Sequence, residues 1–591
     1  MDKKKPYRIV ASGKKAERRD YSKVSGKLEL PNLVEIQTDS FEWFKTQGIA
    51  EVFNEIYPIQ NYGGNIRLKF LGYEFEEPKY SAEDSMYREC NYAAPLKAKM
   101  ELEITDTNTG EVMRKEEEVF LGDFPLMTET GTFIINGAER VIVSQIVRSP
   151  GAYFSTGYEE KTGKTSYSCE LIPSRGTWLE FMTELKKSST GRQLSVSIDR
   201  KRKILSSVLF KAIGMSVDLM PSEDPLDTSQ MESFLRAMGR EWSEDLAIDD
   251  ENREYMNLYL LLYTAFFGKY EELDNTLLAD KVKSTQEALL SIYENQRSDE
   301  IPTLDGSVTL MNAKFFDPRR YDLTKAGRFK LRKKLNAFAR TYHTTLAQDI
   351  VGADGTIFME SGTNIRRDER NALRKELNKG IYMTAFPFNP LFNHPDVVEV
   401  PVEWKSGLVG RVLASDVELD DITLYEGSVL SEADVDMLQG NVEKISVHGG
   451  IIAKKVKMTA ENAAAVLNYG QRMYALARLT DEEGNDVADA DGDLYVDGYT
   501  PDTLDPDTVE EIIANVYAGN EVYAWLVGAA VQELYVRGAD GNVVKIIGND
   551  PFADKHTITI SDMYAFYSYN LNIMDGIGET DDIDMLGNRR I

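Results

Sequence analysis

A chain of 591 residues is longer than one hydrophobic core usually organises, so several domains are expected, and 42% hydrophobic with 28% charged residues excludes a disordered or fibrous protein. Cys90 and Cys169 are the only cysteines, and His343, His394, His448 and His556 stand at no ligand spacing, which excludes a disulfide framework and a cysteine zinc site and fits a reducing compartment. A net charge of −29 argues against a phosphate-rich partner, except that the charge is unevenly spread: no Lys or Arg lies between Arg478 and Arg537, while basic residues cluster elsewhere.

Residues 1–27 are basic, with Lys14, Lys15, Arg18 and Arg19, and poor in large apolar side chains, which reads as a flexible arm. The start, Met1-Asp2-Lys3-Lys4-Lys5, lacks the apolar core of a signal peptide. The longest apolar run, 524–531, falls far short of the roughly 20 residues a membrane helix needs. No membrane association and a cytoplasmic setting are expected.

From 28 to 140, the alternation Lys97-Ala98-Lys99-Met100-Glu101-Leu102-Glu103-Ile104 and the turn residues Asn108-Thr109-Gly110 predict a β-rich domain, with a helix over 40–52. Residues 141–335 mix short strands with helices over 253–267 and 276–296. Basic clusters stand at Arg200-Lys201-Arg202-Lys203 and at Arg319, Arg320, Arg328, Lys330, Arg332, Lys333 and Lys334; the ordinary reading of either is a solvated face.

Residues 336–542 read as an insertion module with a weak internal repeat. Leu346-Ala347-Gln348-Asp349-Ile350 leads to Glu360-Ser361-Gly362-Thr363, and Leu413-Ala414-Ser415-Asp416-Val417 leads to Tyr425-Glu426-Gly427-Ser428, which suggests two similar β units. Asp354-Gly355 and Asp540-Gly541 are hairpin signals, a helix is expected over 459–478, and an acidic loop over 481–511. Residues 543–591 open with a strand at 543–547. A helix follows, capped by Ser561, with Met563, Phe566, Tyr567 and Leu571 on its apolar face until Gly576. The dense polar motif Asp581-Asp582-Ile583-Asp584-Met585-Leu586-Gly587-Asn588-Arg589-Arg590 then suggests that a partner segment belongs beyond Ile591. The fold class is α+β and multidomain: a β-rich domain, then a mixed α/β domain carrying a β-rich insertion.

Two motifs tempt and fail. Gly157 and Gly163-Lys164-Thr165 resemble a phosphate-binding loop, but five residues separate the glycines where four are required, and Ser166-Tyr167-Ser168-Cys169 reads as a strand, so a hairpin tip fits better. The acidic run Asp486, Asp489, Asp491, Asp493 and Asp497 puts Val487 and Gly498 at the first and twelfth places of a calcium loop, where ligands are needed. No nucleophile-base set can be assembled, so a catalytic site within the chain is unsupported.

A longer signal lies at 120–151. Its segments Gly122-Asp123-Phe124-Pro125-Leu126-Met127 and Phe133-Ile134-Ile135-Asn136-Gly137-Ala138-Glu139-Arg140-Val141-Ile142-Val143-Ser144-Gln145 closely resemble the beta subunit of bacterial RNA polymerase. Further matches follow in family order: Ser40-Phe41-Glu42-Trp43-Phe44, Tyr92-Ala93-Ala94-Pro95-Leu96, Ile172-Pro173-Ser174-Arg175-Gly176-Thr177-Trp178, Asp199 to Lys203, Arg320-Tyr321-Asp322-Leu323 and the terminal motif. The resemblance covers roughly 28–335 and 543–591, while 336–542 resembles only lineage-specific inserts. It implies that 28–140 is the first part of the protrusion, 141–335 the lobe, and 543–591 the end of the lobe returning toward the protrusion and fork. These would form one jaw of the DNA cleft.

The same resemblance puts Arg148, Trp178, Ile583, Asp584 and Arg589 at a pocket for unpaired nontemplate-strand bases, with Arg200, Lys201, Arg202 and Lys203 steering phosphates. It puts Arg297 on a loop that gates the cleft; Arg-Ser-Asp-Glu-Ile-Pro stands there where the family has Arg-Pro-Gly-Glu-Pro-Pro, so the stiffness of that loop is not carried over. Val143 and Gln145 match outlying rifamycin contacts, and Arg114-Lys115-Glu116 the strand used by transcription-repair coupling factors. Implied partners are the beta-prime, alpha and sigma subunits, DNA and the DNA–RNA hybrid. The chain would be a subunit of a nucleotidyltransferase without binding a cofactor itself, the catalytic magnesium being held by beta-prime. The chemistry suits a base pocket: Asp accepts from the donor edge of guanine, Arg adds planar donors, and Trp offers a stacking face. The competing readings are a stand-alone nucleotide hydrolase using the 157–165 loop, and a structural scaffold in which Trp178 is a core aromatic and Asp584 with Arg589 a structural ion pair.

Overall fold

Alternation along Ala93–Thr105 sends Ala94, Leu96, Ala98 and Met100 to one face, where all four are buried. The structure, a computed structural model, describes residues 7–12, 16–21, 32–61, 65–105, 112–160, 163–184, 191–215, 270–282, 284–351, 356–386, 388–392, 396–419, 423–457, 475–480, 523–538 and 540–591. The chain divides into two units, Met1–Gln145 and Ile146–Ile591.

In the first unit, β1 (Ile66–Phe75), β2 (Ala93–Thr105) and β3 (Val112–Pro125) form an antiparallel sheet extended by the short strand Ile59–Gln60. The helix expected over 40–52 is found as Glu35–Trp43, a π-helical turn Phe44–Gly48 and Ile49–Ile56. Its Phe44 and Phe53 stack on Phe124 and Phe70 of the sheet. Within the stretch expected to be an arm, Arg8–Ser12 pairs antiparallel with Ala16–Asp20, and Arg19 stacks on Tyr7.

The second unit is built on two large sheets with a helix packed against both, alongside several two-stranded pairs. The first sheet is antiparallel and runs β4 (Gly151–Glu159), β5 (Lys164–Ile172), β6 (Leu179–Glu184), β7 (Gln193–Ile198) and a two-residue strand, Ile204–Leu205. The second is built around β8 (Tyr523–Arg537), which contains the long apolar run and pairs with Thr345–Leu346, Met383–Phe386, Ile451–Lys457, Ala475–Thr480 and β9 (Val543–Gly548). Of its helices, α1 (Thr324–Leu335) packs on β4, α2 (Arg367–Leu377) follows the first copy of the repeat, and α3 (Ile560–Met574) lies against both sheets. Every residue from Ile560 to Asn572 is buried, so α3 is enclosed all round, and Ser561, Asp562, Ser568, Asn570 and Asn572 are buried along with its apolar residues. Among its polar members, Asn572 donates to the Lys545 carbonyl and accepts from Arg340, whereas the buried Asn570 amide has no hydrogen-bond partner among the described residues. Phe386, Val412 and Val527 share one core with Ala152, Phe181 and Phe566, so residues inside 336–542 are packed into the same interior as residues outside it.

The two copies of the repeat make the same backbone bonds. Leu346 N–H donates to Thr363 O and Leu413 N–H to Ser428 O, while Asp349 accepts from Ser361 N–H as Asp416 does from Glu426 N–H. The α+β class with several sheets is what is found. Three element boundaries differ from expectation. The helix expected over 276–296 is two, Glu271–Ala279 and Thr285–Gln296, because Asp280 turns inward to a buried pair with Lys211 at 2.8 Å and Ser284 caps a new helix. Thr559, not Ser561, caps α3, in a reciprocal box with Asp562. Ala475–Thr480, expected at the end of a helix, is a strand on β8. The expected helix over 253–267 and the acidic loop over 481–511 lie outside the described residues, as does Asp354-Gly355. Among the described residues, no helix is long and apolar enough to cross a membrane and no cluster of His, Cys, Asp or Glu could hold a metal.

Candidate functional site

The first sheet of the second unit is two-faced. Cys169, Leu171, Leu179, Phe181 and Val196 point into the core, so period 2 turns Glu170, Glu180 and the buried Ser197 to the opposite face. Above these lies a recess of about 860 Å³ whose lining includes Arg148, Glu170, Trp178, Glu180, Arg200 and Arg590.

One wall is the loop 173–178. Its Arg175 pairs by backbone with Asp322, so the stretch Arg320-Tyr321-Asp322-Leu323 lies directly behind it. Gly176 permits that contact: its φ is +124°, and a Cβ there would stand 2.8 Å from the Tyr321 ring. Trp178 at the end of the loop is half-buried, and its carbonyl accepts from Asp199 N–H at 2.9 Å. Asp199 and Arg200 both adopt the left-handed region, φ +59° and +56°, at a cost on the order of 1–2 kcal/mol each for such residues. The turn they make holds the Arg200 guanidinium 3.8 Å from the Trp178 ring centroid.

The opposite wall joins distant sequence. Val147–Arg148 pairs antiparallel with the terminal strand β10 (Arg589–Arg590), Ser149 N–H donates to Asn588 O, and Lys330 reaches Ser149 Oγ and Gly587 O. Further back, Asp581 accepts from Phe154 N–H at 2.8 Å and ion-pairs with Lys334, whose pKa burial holds below the usual lysine range. Arg590 donates to Ser174 Oγ at 2.8 Å, closing the recess across to the Trp178 loop.

The floor is acidic. Glu170 and Glu180 are direct cross-strand neighbours; Glu170 ion-pairs with Arg148, and Glu180 lies 3.9 Å from Arg200 Nε. Burial, then the like charge of Glu170, holds the Glu180 pKa above the usual carboxylate range. Cationic and aromatic groups thus surround two carboxylates that can accept from a base's amino edge, a set suited to a planar, donor-bearing ligand with phosphate nearby.

Of the residues singled out from sequence, Arg148, Trp178, Arg200, Lys201 and Lys203 line the recess, with Lys201 donating to Gln296 O and Lys203 3.1 Å from Glu184. Arg590 lines it where Arg589 was expected; Arg589 pairs instead with the exposed Asp584. Ile583, Asp584 and Arg202 are outside the lining. Arg297 is likewise outside, paired with Glu300 at 2.9 Å. In the first unit, Val143 and Gln145 are exposed, and Arg114, Lys115 and Glu116 lie on the edge strand β3, paired with Glu103, Glu117 and Lys99. Gly157, Tyr158 and Glu159 of β4 pair with Ser166, Thr165 and Lys164 of β5, and the chain after Thr165 continues as strand to Ile172, not as a helix to receive a phosphate. Glu170, Glu180 and Arg590 were missed; outward acids between buried neighbours on adjacent strands were the available signal.

A family model described as RNA polymerase beta subunit matches residues 32–456. The DNA-directed RNA polymerase subunit beta of Geobacillus thermodenitrificans (strain NG80-2) is 43% identical over 380 residues, 64% of this chain and 28% of that protein. The subunit of the same name from Staphylococcus aureus (strain JH9) is 40% identical over 399 residues, 67% of this chain and 29% of that protein. The chain therefore spans under a third of the length of these relatives.

Proposed function

The chain belongs to the RNA polymerase beta subunit family, and from that premise we propose that it forms one jaw of the DNA cleft and that the recess holds a nontemplate-strand base pulled from the duplex. One observation carries this reading: the Trp178–Arg200 stack at 3.8 Å, opposite Arg148 and Arg590, in a recess floored by two carboxylates. A base laid on that stack gains about 1–3 kcal/mol. Glu170 and Glu180 accept from its amino groups, and the arginines hold the flanking phosphates. Arg297, Arg202 and the Ile583, Asp584 and Arg589 group would act on the strand outside the recess.

Around this, the chain works as part of a DNA-directed nucleotidyltransferase with beta-prime, alpha and sigma subunits, on DNA and its hybrid with RNA, in the cytoplasm at the nucleoid. The catalytic magnesium belongs to beta-prime, and no phosphoryl chemistry falls to these residues. The edge of β3 at Arg114, Lys115 and Glu116, unpaired among the described residues, suits a strand of a transcription-repair coupling factor, and Val143 with Gln145 the rim of a rifamycin site. The test is the lifetime of the open promoter complex in polymerase assembled with this sequence. Trp178→Ala shortens it about tenfold when guanine stands at the captured position, and much less when that position is abasic. Equal lifetimes for wild type and variant on the guanine promoter would overturn the base pocket.

A further inference from the structure

A second cationic cavity, of about 850 Å³, lies between α1 and α2, away from the recess. From α1 come Phe329, Arg332 and Lys333, and from α2 one face at helical spacing, Arg367, Arg370, Asn371, Arg374, Lys375 and Asn378. Tyr342, from the segment that connects the helices, stands beneath Arg370, whose guanidinium is 5.5 Å from its ring centroid. The whole chain carries −29, yet six cations converge here and no carboxylate lines the cavity.

Part of this has an ordinary cause. Arg332, Lys333, Arg374 and Lys375 occupy the last turns of their helices, where cations favour the helix dipole. Arg367 and Arg370 do not: they stand in the first turn of α2, where the dipole disfavours them, and Arg370 and Arg374 are like charges four residues apart. Arg332 has Asp554 at 3.7 Å, and Arg370 donates to Ala339 O. Lys333, Arg367, Arg374 and Lys375 have no ion-pair partner among the described residues and are solvent-exposed. Phe329 and Tyr342 are 58% and 41% exposed beside them. Helix stability explains neither the placement of the first-turn arginines nor the exposure of the Phe329 ring.

We propose that this groove binds a short stretch of single-stranded nucleic acid, its phosphates on the cations of α1 and α2 and its bases against Phe329 and Tyr342. Exposed aromatic faces interleaved with unpartnered cations are what an unpaired strand needs, whereas duplex keeps its base faces stacked away. The volume is that of a ligand pocket, about 300–1,000 Å³, and admits a few nucleotides. The site joins a helix of the basic cluster at 319–334 to a helix within 336–542, so that region would add a strand contact to the body it is packed into.

The experiment measures affinity of the full chain for a labelled single-stranded DNA oligonucleotide across a salt series. The triple variant Arg367→Gln/Arg374→Gln/Lys375→Gln, all at exposed positions, is expected to bind at least about tenfold more weakly, with a salt slope smaller by about 2. Arg367→Lys/Arg374→Lys keeps the slope, and Tyr342→Ala weakens binding without changing it. Wild-type affinity and slope in the triple variant would overturn the proposal, including the case where Trp178→Ala alone abolishes binding and so assigns it to the recess. Equal affinity for a duplex of the same length, or equal displacement of the strand by poly-glutamate at matched charge, would overturn it too.

Discussion

At Gly176 the backbone turns with φ +124° against Tyr321, and the direction in which Trp178 leaves the loop depends on that turn. Any Cβ there meets the ring at 2.8 Å and the Arg320 carbonyl at 3.1 Å, both anchored behind the loop by the Arg175–Asp322 bridge. Neither neighbour can give way cheaply, since Tyr321 is itself fully buried. Gly176→Ala is therefore expected to lower stability by about 2 kcal/mol or more, combining backbone strain with overpacking. It should also shorten open-complex lifetime as Trp178→Ala does, although it removes no contact group. A denaturant midpoint and an open-complex lifetime both at the wild-type value would show that the loop reorganises freely. The same scale explains why Arg590 was missed. In a two-residue strand, successive side chains face opposite ways, and the partner strand, not the sequence, decides which arginine faces Trp178.

Among elements, the terminal strand β10 is too short to hold itself in place. Two residues paired with Val147–Arg148 are secured by what precedes them: Asp581 on Phe154 N–H and Lys334, and Lys330 on Gly587 O. Asp581→Ala leaves the largely buried Lys334 ammonium without its partner and frees a backbone N–H, a loss of about 2 kcal/mol. Hydrogen exchange should quicken at the Ser149 amide, whose acceptor is Asn588 O, and stay unchanged at Phe181 in the sheet centre. Unaltered exchange at Ser149 would mean that β10 docks without that anchor. Elements were legible where pattern and packing agree. The alternation at 97–104, the apolar run of β8 and the repeat at 346 and 413 are local signals that survive folding. The break at Asp280 was not legible, because its cause is Lys211, 69 residues away, and neither was the strand Ala475–Thr480, whose partner β8 is distant. The recess was half legible: the resemblance pointed to Arg148, Trp178 and the basic run, while Glu170 and Glu180 become neighbours only through strand register.

Across the second unit, buried ion pairs join segments far apart in sequence: Arg328 with Asp562 at 2.6 Å, Lys211 with Asp280 at 2.8 Å, and Arg411 with Asp550 at 2.7 Å. The last is the most enclosed, both side chains being 0% exposed. Asp550 also accepts from Gly450 N–H and Phe552 N–H, and Arg411 donates to Ile451 O and stands over the Phe552 ring. One carboxylate thus ties the second repeat copy, the turn into Ile451–Lys457 and the chain leaving β9. Burying two charges is costly in itself, so such a pair adds little net stability over an apolar replacement, while removing one partner strands the other. Asp550→Ala is accordingly expected to cost about 3–5 kcal/mol, and Arg411→Met/Asp550→Leu to recover most of it. A double-mutant cycle on denaturant unfolding measures the coupling. If the single variant loses under about 1 kcal/mol, water or a neighbour must satisfy Arg411, and the Arg411–Asp550 pair would contribute little to the junction of 336–542 with the rest of the unit.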